Sequence, residues 1–247
     1  FYPGAVLWII NDLSEAIKSD NLEQIKKLLM QLGKTRFFKK EKPTPFDEAV
    51  SLIWFLENVF YHSASRIYSY IQQHILEDET VDNTLFNCGF WPGGDRDGNP
   101  FVTPETSLKT AERLKYTIQR NYYRDLRRLK RKITFDIVEE KITALEQGMY
   151  DTLLYPNDRE RISLAHLTTE LESVKQILEK DHQGIYVDEI QDLLHKVKLF
   201  GYHFASLDIR QDSRIHQAVF DDIVTHPDIQ QYVENLPENY TQLSLDE

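Results

Sequence analysis

A chain of 247 residues that is 41% hydrophobic carries enough apolar material for a buried core. Charged residues at 28% and aromatic residues at 12% exclude a disordered or collagen-like chain. A formal net charge of −11 repels nucleic acid and anionic membranes at long range, so neither is expected as a partner. The apolar run Ala5–Ile10 is far short of the roughly 20 residues a membrane-crossing helix needs. The lone cysteine, Cys88, cannot pair within the chain, which fits a reducing compartment, and it reads as a small buried residue.

Helical periods dominate from the start. Val6, Ile9, Ile10, Leu13 and Ile17 share one helical face, and Leu22, Ile25, Leu29 and Leu32 repeat the pattern after a break at Ser19-Asp20. Pro43 and Pro45 punctuate the chain, and Asp47 and Glu48 favour the first turn of a third helix through its dipole. That helix carries Leu52, Phe55, Leu56, Val59 and Phe60 and is predicted to run to about Ile75. The helical period then stops, and Phe86–Trp91 is predicted as a short strand entering a glycine-rich stretch. Thr103 and Pro104 suit the N-cap and first position of a long helix, with Leu108, Ala111, Leu114, Ile118, Tyr122, Leu126 and Leu129 on its apolar face. Further helices are predicted over 136–146, over Leu164–Leu178, and from Val187 to a C-terminal stop at Gly201. Tyr202–Ile209 reads as a second short strand, and residues 212–225 return to helix.

Three segments could carry chemistry. Trp91-Pro92-Gly93-Gly94-Asp95-Arg96-Asp97-Gly98-Asn99-Pro100 lets its backbone approach a ligand or another strand closely. In an extended conformation Asp95 and Asp97 share a face and Arg96 points away. A calcium loop fails here, because Pro100 stands where the turn needs glycine and Thr106 where a bidentate glutamate belongs. A plain turn between strand and helix is the other reading. In Leu207-Asp208-Ile209-Arg210-Gln211-Asp212, Arg210 offers a rigid fork suited to phosphate or carboxylate. The competing reading is a self-satisfied Asp208–Arg210 or Arg210–Asp212 pair. Arg120, Arg124, Arg127, Arg128, Lys130, Arg131 and Lys132 could form a nucleic-acid face, but no binding motif accompanies them. They read instead as the solvated side of an amphipathic helix, paired with acids. The histidines show no metal-ligand spacing, and His203 reads as a packing or supporting residue.

Gly93-Gly94-Asp95-Arg96-Asp97-Gly98-Asn99-Pro100 with Val102-Thr103 resembles the GGDRDGNP-x-VT signature of phosphoenolpyruvate carboxylases. Leu207-Asp208-Ile209-Arg210-Gln211 resembles that family's LDIRQ segment, and Lys42-Pro43-Thr44-Pro45-Phe46-Asp47-Glu48-Ala49 its KPTP-x-DEA segment. The three occur in the family's order across most of the chain. The resemblance implies an enzyme that joins bicarbonate to phosphoenolpyruvate, giving oxaloacetate and phosphate, with Mg²⁺ or Mn²⁺. It also implies an α/β barrel wrapped in helices and a cytoplasmic homotetramer. Under it, Arg210 holds the substrate phosphate, Trp91 lines the pocket near the methylene, and Arg96 lies in a loop, Gly93 to Asn99, that shapes the active site. Asp208 and Gln211 become supporting residues. Two positions depart from the family pattern. Phe90-Trp91-Pro92 stands where the family commonly has Ser-Trp-Met, and Asp212 stands where it has glutamate.

The family's TAHPT motif with its catalytic histidine is missing, as are its metal-binding carboxylates and its arginine-bearing glycine loop. The opening Phe1-Tyr2-Pro3 resembles what directly follows TAHPT, and both ends read as cuts through a longer polypeptide. The expected architecture is therefore mainly α-helical with two short parallel strands, part of a TIM-type barrel. Residues 1–80 are expected to be helical. Residues 81–150 hold the glycine loop and the basic helix, and 151–247 hold helices and the second strand. All belong to one piece of a larger catalytic chain, inactive alone and binding no metal itself. A helical interaction module, with both motifs as structural turns, is the alternative.

Overall fold

A computed structural model of the chain describes residues 4–35, 42–75, 87–155 and 162–226. The chain forms two compact units, residues 1–44 and 45–247. In the first, α1 (Gly4–Lys18) and α2 (Leu22–Lys34) pack around Ile9, Ala16 and Leu28, with Leu13, Ile25 and Leu32 against them. Asn21 caps α2 by accepting the Gln24 N–H at 3.1 Å. The predicted faces are rotated slightly: Ile10, Ile17, Leu22 and Leu29 are exposed, and Ala16 and Leu28 take the inward positions. Ile25, Leu28 and Leu32 fall at i, i+3 and i+7, a helical face as regular as the predicted one through Leu29.

The second unit opens with α3 (Pro45–Phe55), a π-helical turn (Leu56–Phe60) and α4 (Tyr61–His74). The helix reaches its predicted length, but only part of its predicted face, Leu56 and the partly buried Leu52, meets the core. Ala49, Ile53 and Leu56 are buried, then Tyr61, Ala64 and Tyr68, while Phe55, Val59 and Phe60 are exposed. The step from Leu56 to Tyr61 is five residues because the Tyr61 N–H donates to the Leu56 carbonyl, an i→i−5 bond that absorbs one extra residue. A regular 3.6 period carried through this point puts the wrong side chains inside.

Helix α5 (Pro104–Lys132) is the spine of the unit and packs on α3, α6 (Asp136–Leu154) and α8 (Val187–Phe200). α7 (Leu164–Asp181) lies between α6 and α8, and α8 also packs on α4. One core joins them, built from Leu114, Ile118, Tyr122, Leu126 and Leu129 of α5 with the inward rows of α6, α7 and α8. α6 runs well beyond its predicted end near residue 146, through Gly148 to Leu154. A side chain at Gly148 would run into Ile162.

β1 (Gly89–Phe90) and β2 (Ser206–Leu207) pair in parallel, Gly89 with Ser206 and Phe90 with Leu207. Both strands are shorter than predicted. Phe86, the expected start of the first, lies outside the described residues. The second loses Tyr202–Ala205 to a turn in which the Phe204 N–H bonds back to Phe200 O at 3.1 Å and Phe204 takes φ +67°. That left-handed backbone is held because the rings of Tyr202 and Phe204 are both buried in the core. The Tyr202 hydroxyl also donates to Ile162 O at 2.9 Å. Parallel pairing agrees with the sequence reading, as does the mainly helical class. α9 (Ser213–Thr225) follows, capped by Asp212.

Candidate functional site

The parallel register carries past the two strands. The Asp208 N–H bonds to Phe90 O at 2.9 Å, the Arg210 N–H to Gly94 O at 3.2 Å, and the Arg96 N–H to Arg210 O at 3.0 Å. Asp95 and Arg210 thus form a further parallel bridge. The two motifs singled out in the sequence meet at the C-terminal ends of neighbouring strands. This proximity needs the paired glycines. Gly93 has φ +81°, and a side chain there would collide with Thr110. A side chain on Gly94 would collide with the carbonyl oxygen of Asp208. Both residues are where backbone must lie against a neighbour.

Beyond the glycines the loop is turned, not extended. The Trp91 carbonyl accepts the Gly94 and Asp95 N–H groups at 3.0 and 3.1 Å. Asp95 Oδ1 accepts the Asp97 N–H at 3.1 Å, and Asn99 Oδ1 accepts the Phe101 N–H at 3.1 Å. Gly98 supplies φ +66° in open space. The Trp91 side chain is half exposed. Arg96 does point away from Asp95: its Nη2 donates to Ser107 Oγ at 3.1 Å, and its Nε is buried without a hydrogen-bond partner.

The Arg210 side chain is 64% exposed, and its Nη1 stands 3.7 Å from Asp95 Oδ2. Neither expected self-pairing within the second motif forms. Asp212 caps α9 by accepting the Arg214 N–H at 2.9 Å and pairs with the Arg214 guanidinium at 2.7 Å. These hydrogen bonds lower the Asp212 carboxyl below its usual pKa. Gln211 Oε1 accepts the Asp212 N–H at 2.9 Å. Asp208 projects into solvent, and its backbone does the pairing.

Sequence reasoning missed two residues here. Ser107 and Thr110 of α5 turn inward where Leu108 and Ala111 were predicted to, and Leu108 is 65% exposed. The neighbour of this first turn is the glycine loop: Thr110 bonds its own helix at Thr106 O and packs against Gly93, while Ser107 serves a loop carbonyl. Ser107 Oγ donates to Gly93 O at 2.7 Å. His203 is exposed and precedes β2, away from the Arg210 end. Together with the half-buried Cys88, whose thiol pKa burial raises, it lines a cavity of about 440 Å³. A cavity of about 860 Å³ lies between α4, α7 and α8, around Tyr68, Lys175 and His195. Trp91, Arg96 and Arg210 line neither of these two cavities.

Most of the basic stretch of α5 is paired with acids, while Arg127 donates to the Tyr123 hydroxyl. Arg120 and Arg124 share Glu57, Arg128 pairs with Asp125 at 3.2 Å, Lys130 with Glu146 at 3.2 Å, and Lys132 with Glu189 at 3.3 Å. Among the described residues no group of three or more His, Cys, Asp or Glu could hold a metal ion, so the residues present do not fit the divalent cation that the resemblance implies. No helix among them is long and apolar enough to cross a membrane.

Comparison with known proteins gives a consistent result. The family model described as phosphoenolpyruvate carboxylase matches residues 9–159 and 143–247. A protein named phosphoenolpyruvate carboxylase from Shewanella loihica is 26% identical over 249 residues, covering 87% of this chain and 28% of that protein. One of the same name from Aeromonas hydrophila is 26% identical, covering 91% of this chain and 29% of its own. Phosphoenolpyruvate carboxylase 1 of Chlamydomonas reinhardtii is 24% identical, covering 87% and 29%. The chain spans less than a third of the length of these curated relatives.

Proposed function

This chain belongs to the phosphoenolpyruvate carboxylase family, and from that membership we propose that it forms part of an enzyme that joins bicarbonate to phosphoenolpyruvate, giving oxaloacetate and phosphate. The observation that carries the reading is the bridge between Asp95 and Arg210, which brings the two motifs together at the C-terminal ends of parallel strands. Ligand contacts belong at that end of a parallel barrel. The two strands are read as neighbours in an α/β barrel that the rest of the polypeptide completes, in a cytoplasmic homotetramer. Arg210 holds the substrate phosphate, Arg96 adds a second cation, and Trp91 covers the methylene side. Gly93, Gly94, Asp95, Asp97, Gly98 and Asn99 shape the loop, with Asp208 and Gln211 supporting it.

The chemistry explains the cations. Phosphoryl transfer to bicarbonate develops negative charge on the transferred group and leaves an enolate, so fixed donors around the phosphate lower the barrier. In the complete enzyme Mg²⁺ or Mn²⁺ would be held by carboxylates outside this chain. The 247-residue chain by itself is proposed to make no oxaloacetate, since no family catalytic histidine is among its residues.

The test is Arg210→Ala in the complete enzyme, in an assay coupling oxaloacetate to malate dehydrogenase and NADH. Loss of a charge-assisted phosphate contact should cost on the order of 2–4 kcal/mol, a fall of tens to hundreds of times in kcat/KM. Arg210→Lys should recover part of it, since lysine keeps the charge but not the fork. The competing role, pairing with Asp95, is an exposed contact at 3.7 Å worth at most about 1 kcal/mol. A destabilised Arg210→Ala enzyme with full kcat/KM per folded molecule would retire the phosphate-binding role.

A further inference from the structure

We infer that Ser107, which lies outside the recognised motifs, is a positioning residue that ties the Arg96 guanidinium to α5 beside the strand-end loop. The inference rests on the reading above, in which Arg96 adds a second cation for an anionic substrate. A serine hydroxyl has one proton to donate and lone pairs to accept with. Ser107 Oγ uses both: it donates to Gly93 O at 2.7 Å and accepts from Arg96 Nη2 at 3.1 Å. The residue is only 7% exposed, on the first turns of a 29-residue helix anchored throughout the core. The hydroxyl therefore ties two parts of one loop, the close-approach glycine and the arginine three residues on, to a rigid element. Rigid support of this kind holds a binding group in productive geometry.

The contact is directional. Arg96 carries its charge on a long stem with several rotatable bonds, and its backbone is already fixed by the Arg96 N–H to Arg210 O bond. The guanidinium in turn donates to Ser107 through Nη2, while Arg96 Nε is buried and unpartnered. An alanine at 107 would leave the Gly93 carbonyl and the guanidinium to find other partners. A group that binds substrate charge equally in ground and transition states governs KM more than kcat.

The experiment measures kcat, KM for phosphoenolpyruvate and Tm in the complete enzyme for Ser107→Ala, Ser107→Thr and Thr117→Val. Thr117 is a buried control on the same helix, its hydroxyl bonded to its own helix at Arg113 O. Ser107→Ala should raise KM about tenfold with kcat changed less than about threefold. Its Tm should fall no more than that of Thr117→Val. Ser107→Thr keeps the hydroxyl and should stay within about twofold of the parent KM. An unchanged KM in Ser107→Ala overturns the inference, as does a threonine variant no better than alanine. So does a Ser107→Ala enzyme that fails to fold while Thr117→Val folds, which would make the hydroxyl a structural group. The underlying reading fails separately. It does so if the parent enzyme makes no oxaloacetate, or if Arg210→Ala leaves KM and kcat untouched.

Discussion

The largest stability effect of a single substitution is expected at Asp125, in the middle of α5. Its carboxylate is 8% exposed, accepts from the Tyr61 hydroxyl at 2.9 Å and Lys196 Nζ at 3.0 Å, and forms an ion pair with Arg128 Nη2 at 3.2 Å. The Lys196 side chain is 2% exposed, also pairs with Asp192 at 2.7 Å, and lies 4.8 Å from the centre of the Tyr61 ring. Burial, reinforced by Asp125, pushes the Tyr61 phenol well above its usual pKa, so it stays a donor. Asp125→Ala removes the shared acceptor and leaves a buried hydroxyl and a buried ammonium short of a partner. Breaking a buried pair from one side costs about 3–5 kcal/mol, of which the stranded hydroxyl accounts for about 1–3. In a domain of this size that lowers Tm by roughly 6–20 °C. Urea denaturation followed by circular dichroism gives the free energy directly. The double variant Asp125→Ala with Lys196→Met should cost less than Asp125→Ala alone, since the buried ammonium left with Asp192 as its one acid partner is then gone. A single-variant loss below about 1 kcal/mol, or costs that simply add, would refute the view that this network is a coupled buried pair.

Two further outcomes are expected. Gly94→Ala places a Cβ into the Asp208 carbonyl, a backbone group that cannot rotate away. It should therefore cost at least about 2 kcal/mol and lift hydrogen-exchange protection from the Arg96 and Arg210 amides, whereas Gly98→Ala, in open space at φ +66°, should cost about 1–2 kcal/mol and leave those amides protected. The second concerns His195, whose ring meets Ser69 Oγ at 2.8 Å and Gln191 Nε2 at 2.7 Å. Burial lowers its pKa, Lys175 and Lys198 add to this, and Asp192 opposes it. With the folded value depressed, the unfolded chain takes the proton first. The contribution is then complete above about pH 6.5 and is lost as pH falls through the folded value. Tm measured from pH 7.5 to 5 should fall less steeply in His195→Gln than in the parent, and parallel slopes would count against a role for this ring.

The elements legible in the sequence are those whose burial follows one unbroken helical period. Leu167, Leu171, Val174 and Leu178 of α7, and Ile190, Leu194 and Val197 of α8, are inside as their spacing required. The strands were legible as the places where that period stops. The rotated face after Leu56 was not, because the i→i−5 turn inserts one residue without any composition signal. The inward turn of Ser107 and Thr110 was also hidden. A polar pair at the start of an amphipathic helix reads as solvent-facing unless its neighbour is known to be the backbone of a closely packed glycine loop. The partner of Arg210 was hidden for a related reason: Asp95 is distant in sequence and arrives only through the parallel register.

That register also explains why motif and mechanism separate as they do in this chain. The bonds that join the two motifs, Arg210 N–H to Gly94 O and Arg96 N–H to Arg210 O, are all backbone, and Gly93 and Gly94 are small so that backbone can meet its neighbours. The charged side chains take almost no part in holding the loop: Arg210 is largely exposed, and its contact with Asp95 is a weak surface pair. A site built this way can keep its geometry when a charge is removed and lose its geometry when a methyl is added. Substitutions at Gly94 should therefore act on stability first, and substitutions at Arg210 on substrate affinity first. Ser107, whose hydroxyl bonds both the backbone and a guanidinium, is the position where the two effects meet.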